Sequence, residues 1–346
     1  MSSLPLFVRT LRCVLPALTV ALMLGGCDSS SRVENYEPNR MMSFGDELSL
    51  IKSDGSKHTI NGYTSGTTTA DCTVNRIWNQ SLAANLGLTL PGCPVSPATP
   101  SNGVMAAVSG ARVAAIKAQV DARPASDFVP TTLVTIQGGM WDVLEAYDAY
   151  KNATNREPAY ALIVTRANEF AALVNQIIRN GEGSRVIYAT VPDLGLSPYA
   201  KQQQAGAACA AAASSCEAFL TDLTRWFNSI VRIGVVDQVR YGDGVINDGR
   251  YVARVLFDVL TQNISNPPRN DNGSLKLNYG VTEVTTAACL SAARGDDISA
   301  CTTATLVTGA ASSGATYLWA SDLLPGPTWH VHAGNQAITF ARNNPF

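Results

Sequence analysis

Two carboxylates flanked by two hydroxyls, in Ser43-Phe44-Gly45-Asp46-Glu47-Leu48-Ser49, are the residues of this chain best suited to chemistry. They close the apolar run Met41 to Phe44, which reads as a buried strand feeding a turn at Gly45. Glu47 lies on that turn, directly after the Gly45-Asp46 pair. A carboxylate serves as a nucleophile in some reactions, but it cannot form a serine acyl-enzyme. Base chemistry is restricted to three histidines, His58, His330 and His332. With so few imidazoles and no CxxC pair, a zinc site is a poor reading, and no metal or cofactor is expected.

The elements that must position these residues show in the periodicity. Thr131 to Ile136 and Arg185 to Val191 are short β-branched runs, the second stopped by Pro192, and both predict strands. Helical spacing marks Val74 to Leu86, Gly110 to Val120 and Trp141 to Tyr150. Tyr160 to Ile178 predicts a long helix with Ile163, Ala167, Phe170, Val174, Ile177 and Ile178 on its apolar face. A second one carries Phe219, Leu220, Leu223, Trp226, Phe227, Ile230 and Val231. Residues 57–70, rich in Thr, Ser and Gly, predict a hairpin or extended loop. The Ala-rich tract 205–215 predicts a loop. Strands alternating with helices of this length imply an α/β protein, a three-layer α/β/α sandwich around a mostly parallel sheet.

The first 26 residues read as an export signal, with Arg9 and Arg12 before the apolar stretch Val14 to Leu24. Leu24-Gly25-Gly26-Cys27 resembles a bacterial lipoprotein signal, which makes Cys27 the lipidated (palmitoyl-bearing) first residue of the mature chain and 27–40 a tether. The expected domain is then 41–346, in a cell-envelope lipoprotein facing the periplasm, on the inner or outer membrane. Of the eight cysteines, Cys13 leaves with the signal. The remaining six predict disulfides in an oxidising compartment, Cys72–Cys93, Cys209–Cys216 and Cys289–Cys301, because each pair brackets a loop-like segment. Net charge goes from −2 to −4 once 1–26 is removed, since that segment holds Arg9 and Arg12 and no acidic residue. No basic stripe is present, so nucleic acid is not an expected partner. A monomer is expected.

The blocks together resemble the SGNH/GDSL hydrolase family, which implies a flavodoxin-like sandwich and ester hydrolysis. Its first block reads Phe-Gly-Asp-Ser-Leu-Ser, so the resemblance puts Glu47 in the nucleophile position. Its second block is similar to Met105-Ala106-Ala107-Val108-Ser109-Gly110, which implies that the Gly110 amide serves the oxyanion hole. The third, Gly-x-Asn-Asp, is similar to Gly139-Met140-Trp141-Asp142, with Trp141 in place of the asparagine donor. Val191 to Ala200 and Tyr279 to Cys289 look like the family's later loops. The last block, Asp-x-x-His, implies His330 as the base, with Pro327 where the orienting Asp belongs. A shifted alignment supplies Asp322 instead, at the cost of placing Leu324 on the histidine. Two readings follow. One is a degenerate, non-hydrolytic member, a pseudoenzyme, whose cleft binds an acyl, glycan or peptide ligand. The alternative is a working carboxylic-ester hydrolase of esterase/lipase type that uses His330 with Ser49 or Ser43.

The anchor has a direct check. Cys27→Ser should move the protein from the membrane to the soluble fraction on cell fractionation, because the lipidated cysteine is the membrane signal left after cleavage. Retention of that variant in the membrane would count against a lipoprotein.

Overall fold

The structure is a computed structural model describing residues 36–94, 101, 103–180, 183–207, 209, 214–236, 239–241, 244–246, 251–291 and 297–343. Residues 36–346 form one compact unit. The export signal, Cys27 and the tether as far as residue 35 lie outside the described residues. No helix among the described residues is long and apolar enough to cross a membrane.

Eleven strands are described: β1 (Arg40–Phe44), β2 (Gly62–Tyr63), β3 (Ala70–Asp71), β4 (Val104–Met105), β5 (Thr132–Gln137), β6 (Arg185–Ala189), β7 (Val239–Tyr241), β8 (Gly244–Ile246), β9 (Val252–Val255), β10 (Glu283–Ala287) and β11 (Tyr317–Trp319). Five of them form the central sheet in the order β4-β1-β5-β6-β9, with every pairing parallel. That is the doubly wound order of flavodoxin-like sheets, in which the chain leaves β1 for one side and then crosses to the other. The carboxyl ends of β1 and β5, where the winding reverses, are where such a fold opens a crevice. Met41, Met42, Phe44 and the whole of β5 are buried, as parallel strands covered on both faces require.

Helices α1 (Trp78–Asn85), α2 (Val113–Asp121), α3 (Met140–Tyr150), α4 (Glu157–Asn180), α5 (Pro198–Ala205), α6 (Cys216–Gly234), α7 (Phe257–Ser265) and α8 (Pro327–Arg342) cover the sheet. α2, α3, α4 and α6 pack on one another, and α1, α7 and α8 form a separate group, giving the three-layer α/β/α sandwich. All six predicted apolar positions of α4 are buried, each stabilising by roughly 1–3 kcal/mol. On α6 the prediction fails at Trp226, which is 46% exposed and set edge-on to Tyr160. The Asp193 carboxylate, past the end of β6, joins the two groups. It accepts from the Gly195 amide, the Thr221 hydroxyl of α6 and the Gln262 amide of α7.

Local chemistry moves several predicted boundaries. The helix expected from Val74 begins at Trp78, because Cys72 and Val74 give their carbonyls to the buried Lys57 ammonium. The helix expected from Gly110 begins at Val113, where the Asp142 carboxylate caps its first amide. Residues 57–70 contain β2, which pairs antiparallel with β3. The loop expected at 279–289 holds β10, paired in parallel with β11. β4 and α5 carry little periodicity of their own, whereas α7 buries Phe257, Leu260, Thr261 and Ile264 at helical spacing.

Three disulfides close the predicted local loops: Cys72–Cys93, Cys209–Cys216 and Cys289–Cys301, with Cα separations of 5.6, 5.4 and 6.0 Å. The last cross-links residues 12 apart. Replacing both its cysteines by alanine should cost about 2–3 kcal/mol in urea unfolding. An unchanged midpoint would mean that the bridge does not constrain the fold.

Candidate functional site

The site begins with a close approach of two strand ends. Gly45 has φ +142°, and a Cβ there would lie 2.4 Å from the Gln137 carbonyl oxygen, so only glycine lets β1 meet β5 at this point. The turn after it is fastened by Asp46. One Asp46 oxygen accepts from the Leu48 amide at 3.0 Å, and the other from the Gln137 side chain at 3.2 Å. Burial, and then the charge of Glu47, hold the Asp46 carboxyl well above the ordinary carboxylate range. Asp46 therefore shapes the turn.

Glu47 opens the 3₁₀ turn Glu47–Ser49 and is 4% exposed. Its Oε1 accepts from the Gly110 amide at 3.0 Å and the Ser109 hydroxyl at 3.1 Å, and its Oε2 accepts from the Trp141 indole at 2.8 Å. Glu47, Gly110 and Trp141 are thus brought together. The Trp141 indole supplies one of the three donors. α3 can start beneath this carboxylate because Gly139 (φ +103°) leaves room for the Phe227 ring, which a Cβ would meet at 2.3 Å. Asp142, in the first turn of α3, caps α2 and faces Arg166 at 3.6 Å. Burial pushes its carboxyl up to about 6, and its role is structural.

The alternative nucleophiles are placed elsewhere. Ser43 and Ser49 are fully buried. The Ser43 hydroxyl accepts from Asn79 at 2.7 Å and that of Ser49 from the Trp78 indole at 3.3 Å. Neither hydrogen-bonds to a histidine.

His330 is a correction. It lies fully buried in α8, edge-on to Trp329, and among the described residues neither ring nitrogen has a hydrogen-bond partner. Burial pushes its pKa down to about 3. Among the described residues no hydrogen bond or ion pair joins it to Glu47, Ser43 or Ser49. Pro327, at the position of the missing Asp, is the first residue of α8. Asp322 gives its backbone carbonyl to Tyr199.

The histidine that the sequence did not single out is His58. It is 4% exposed, and its Nε2 lies 3.2 Å from Asp297 Oδ1. Asp297 is itself held by the Lys52 ammonium at 2.9 Å and the Ser299 amide at 2.9 Å. Asn61 fixes the two segments together, donating to the carbonyls of Lys57, Ser299 and Cys301. Burial lowers the His58 pKa, opposed by the charges of Asp297 and Glu47. No motif in the sequence marks this pair.

No family model matches the chain, and no curated protein matches it. Among solved structures it is similar to an extracellular lipase from Streptomyces rimosus, at 16% identity over 56% of this chain and 75% of that one, with a TM-score of 0.32. It is also similar to Axe2, an acetylxylan esterase from Geobacillus stearothermophilus, at 15% identity over 58% and 75%, with a TM-score of 0.29. The fold of this chain rests on its own strand order.

The buried imidazole of His330 makes a pH dependence of stability. Its folded pKa is about 3 against 6.5 for the exposed ring, so below pH 6.5 the unfolded chain takes up a proton that the folded one does not. Its contribution is present above pH 6.5 and is lost as pH falls toward 3. His330→Leu should keep the melting temperature at pH 7 within a few degrees and flatten its decline between pH 6.5 and 4. An equally steep decline in the variant would place the acid sensitivity elsewhere.

Proposed function

We propose that this is an SGNH/GDSL-hydrolase-like envelope lipoprotein, monomeric and anchored through Cys27, that does not hydrolyse esters through a serine acyl-enzyme. Its cleft then serves to bind an acyl, glycan or peptide group. One observation carries the reading: the Glu47 carboxylate takes the Gly110, Ser109 and Trp141 donors together.

An ester carbonyl gains from such donors only if they point at the position where its oxyanion develops. Here those donors are already engaged by Glu47, whose Oε1 accepts from the Ser109 hydroxyl and the Gly110 amide and whose Oε2 accepts from the Trp141 indole. Loss of the nucleophile alone costs several orders of magnitude in rate. The burial of Ser43 and Ser49, each already accepting a hydrogen bond, weighs against a rearranged hydrolase. His330, without a partner, supplies neither serine with a base.

Purified wild-type protein should release p-nitrophenolate from p-nitrophenyl acetate and butyrate no faster than a heat-denatured control. Turnover above that control, abolished by Ser49→Ala or Ser43→Ala, would establish the rearranged hydrolase instead.

A further inference from the structure

One polar face of α8 is turned toward a cavity. His332, Asn335, Gln336 and Thr339 follow one another at helical spacing, so they share a stripe of that helix. The stripe lines a cavity of about 490 Å³, whose opposite wall is Leu256, Val259 and Leu260 at the start of α7. Leu277 and Tyr279 close a third side. That volume lies within the range of small-molecule sites. The cavity shares no residue with the donor shell of Glu47.

Its third wall is fastened and not a loose flap. The Lys276 amide donates to the Pro268 carbonyl, and Asn278 Oδ1 accepts from the Gly280 amide. The Tyr279 ring stands edge-on to His332, with centroids 4.8 Å apart. A wall set before a ligand arrives spares the cost of ordering it on binding. Polar groups are also left over along α8. Among the described residues no hydrogen bond engages the side chains of His332, Asn335 or Gln336. Leu277, which is 54% exposed, would lose apolar surface to water-free contact with an occupant.

Charge selects the class of that occupant. No residue of the lining carries a carboxylate, an ammonium or a guanidinium. Burial lowers the pKa of His332, so its ring is neutral near pH 7. A charged head would enter this cavity unpaired, which is costly. An uncharged head finds amide and imidazole groups along α8, and a hydrocarbon body finds the leucines and valine of α7.

We infer that the cavity between α7 and α8 is a binding site for a neutral amphiphile, its hydrocarbon chain against Leu256, Val259 and Leu260 and its hydroxyl- or amide-bearing head against Asn335 and Gln336. The site is separate from position 47 and stands whatever that position does to esters.

The test uses the chain from residue 28 onward, which keeps the whole compact unit 36–346 and needs no detergent. It should bind the neutral fluorophore N-phenyl-1-naphthylamine saturably, at one probe per chain. Monolaurin, held below its micelle concentration, should displace the probe at least about tenfold better than laurate or dodecyltrimethylammonium, because either charge would be buried unpaired. Thr339→Trp, at an exposed position of α8, fills the cavity and should abolish probe binding, and Gln336→Trp serves in its place if that variant does not fold. Val331→Trp, also exposed on α8 and outside the lining, should bind as wild type does. Asn335→Ala with Gln336→Ala should weaken monolaurin severalfold and leave the fluorophore unchanged. Absence of saturable binding overturns the inference, as does binding that survives the filled cavity or equal displacement by all three amphiphiles. A dimer that the filling variant converts to a monomer would also overturn it, since a second copy of the chain would then be the occupant.

Discussion

A carboxylate withdrawn from water must find donors, or its charge destabilises the fold by several kcal/mol. Glu47 meets that demand with three, drawn from two separate stretches of chain: the loop before α2 and the first turn of α3. The same contacts hold the turn after β1, the 109–110 loop and α3 in one register at the carboxyl end of the sheet. Removing one donor would expose the charge to an incomplete shell. Position 47 is therefore tied to the architecture around it as much as to any ligand.

The neighbouring acids share this constraint. Asp46 and Asp142 are both buried within the same strand-end region, and both carboxyls are pushed upward by burial. Each binds backbone amides and fixes a turn or a helix start. Three acids with similar sequence prominence thus divide their work: two set the backbone, and one fills the donor site. Backbone geometry alone accounts for Gly45, Asp46 and Asp142 at their positions.

Much of the sheet and the two long helices was legible because period and burial agree, as in β5 and in α4 from Ile163 to Ile178. Glu47, Gly110 and Trp141 were legible as local motifs, and their convergence needed only a strand-turn-helix frame. His330 misled because a histidine pair opening a helix looks the same whether it faces a cleft or a core. Its burial is decided by the packing of α8 on α1, which no local pattern encodes. His58 was invisible for the opposite reason. Its carboxylate belongs to a loop that also binds Lys52, 245 residues earlier in the chain, and contacts at such a separation leave no spacing to read.

The bridge between Cys289 and Cys301 encloses Asp297, and its second cysteine gives its carbonyl to Asn61. The stretch that carries the carboxylate is thereby clasped to the stretch that carries the imidazole. In a reducing compartment the clasp is open, and the pair is then held by the Asn61 and Lys52 hydrogen bonds without it. Oxidation would then do more than toughen the fold. It would restrict the loop that carries the acid, so the pairing of acid and ring would respond to redox conditions.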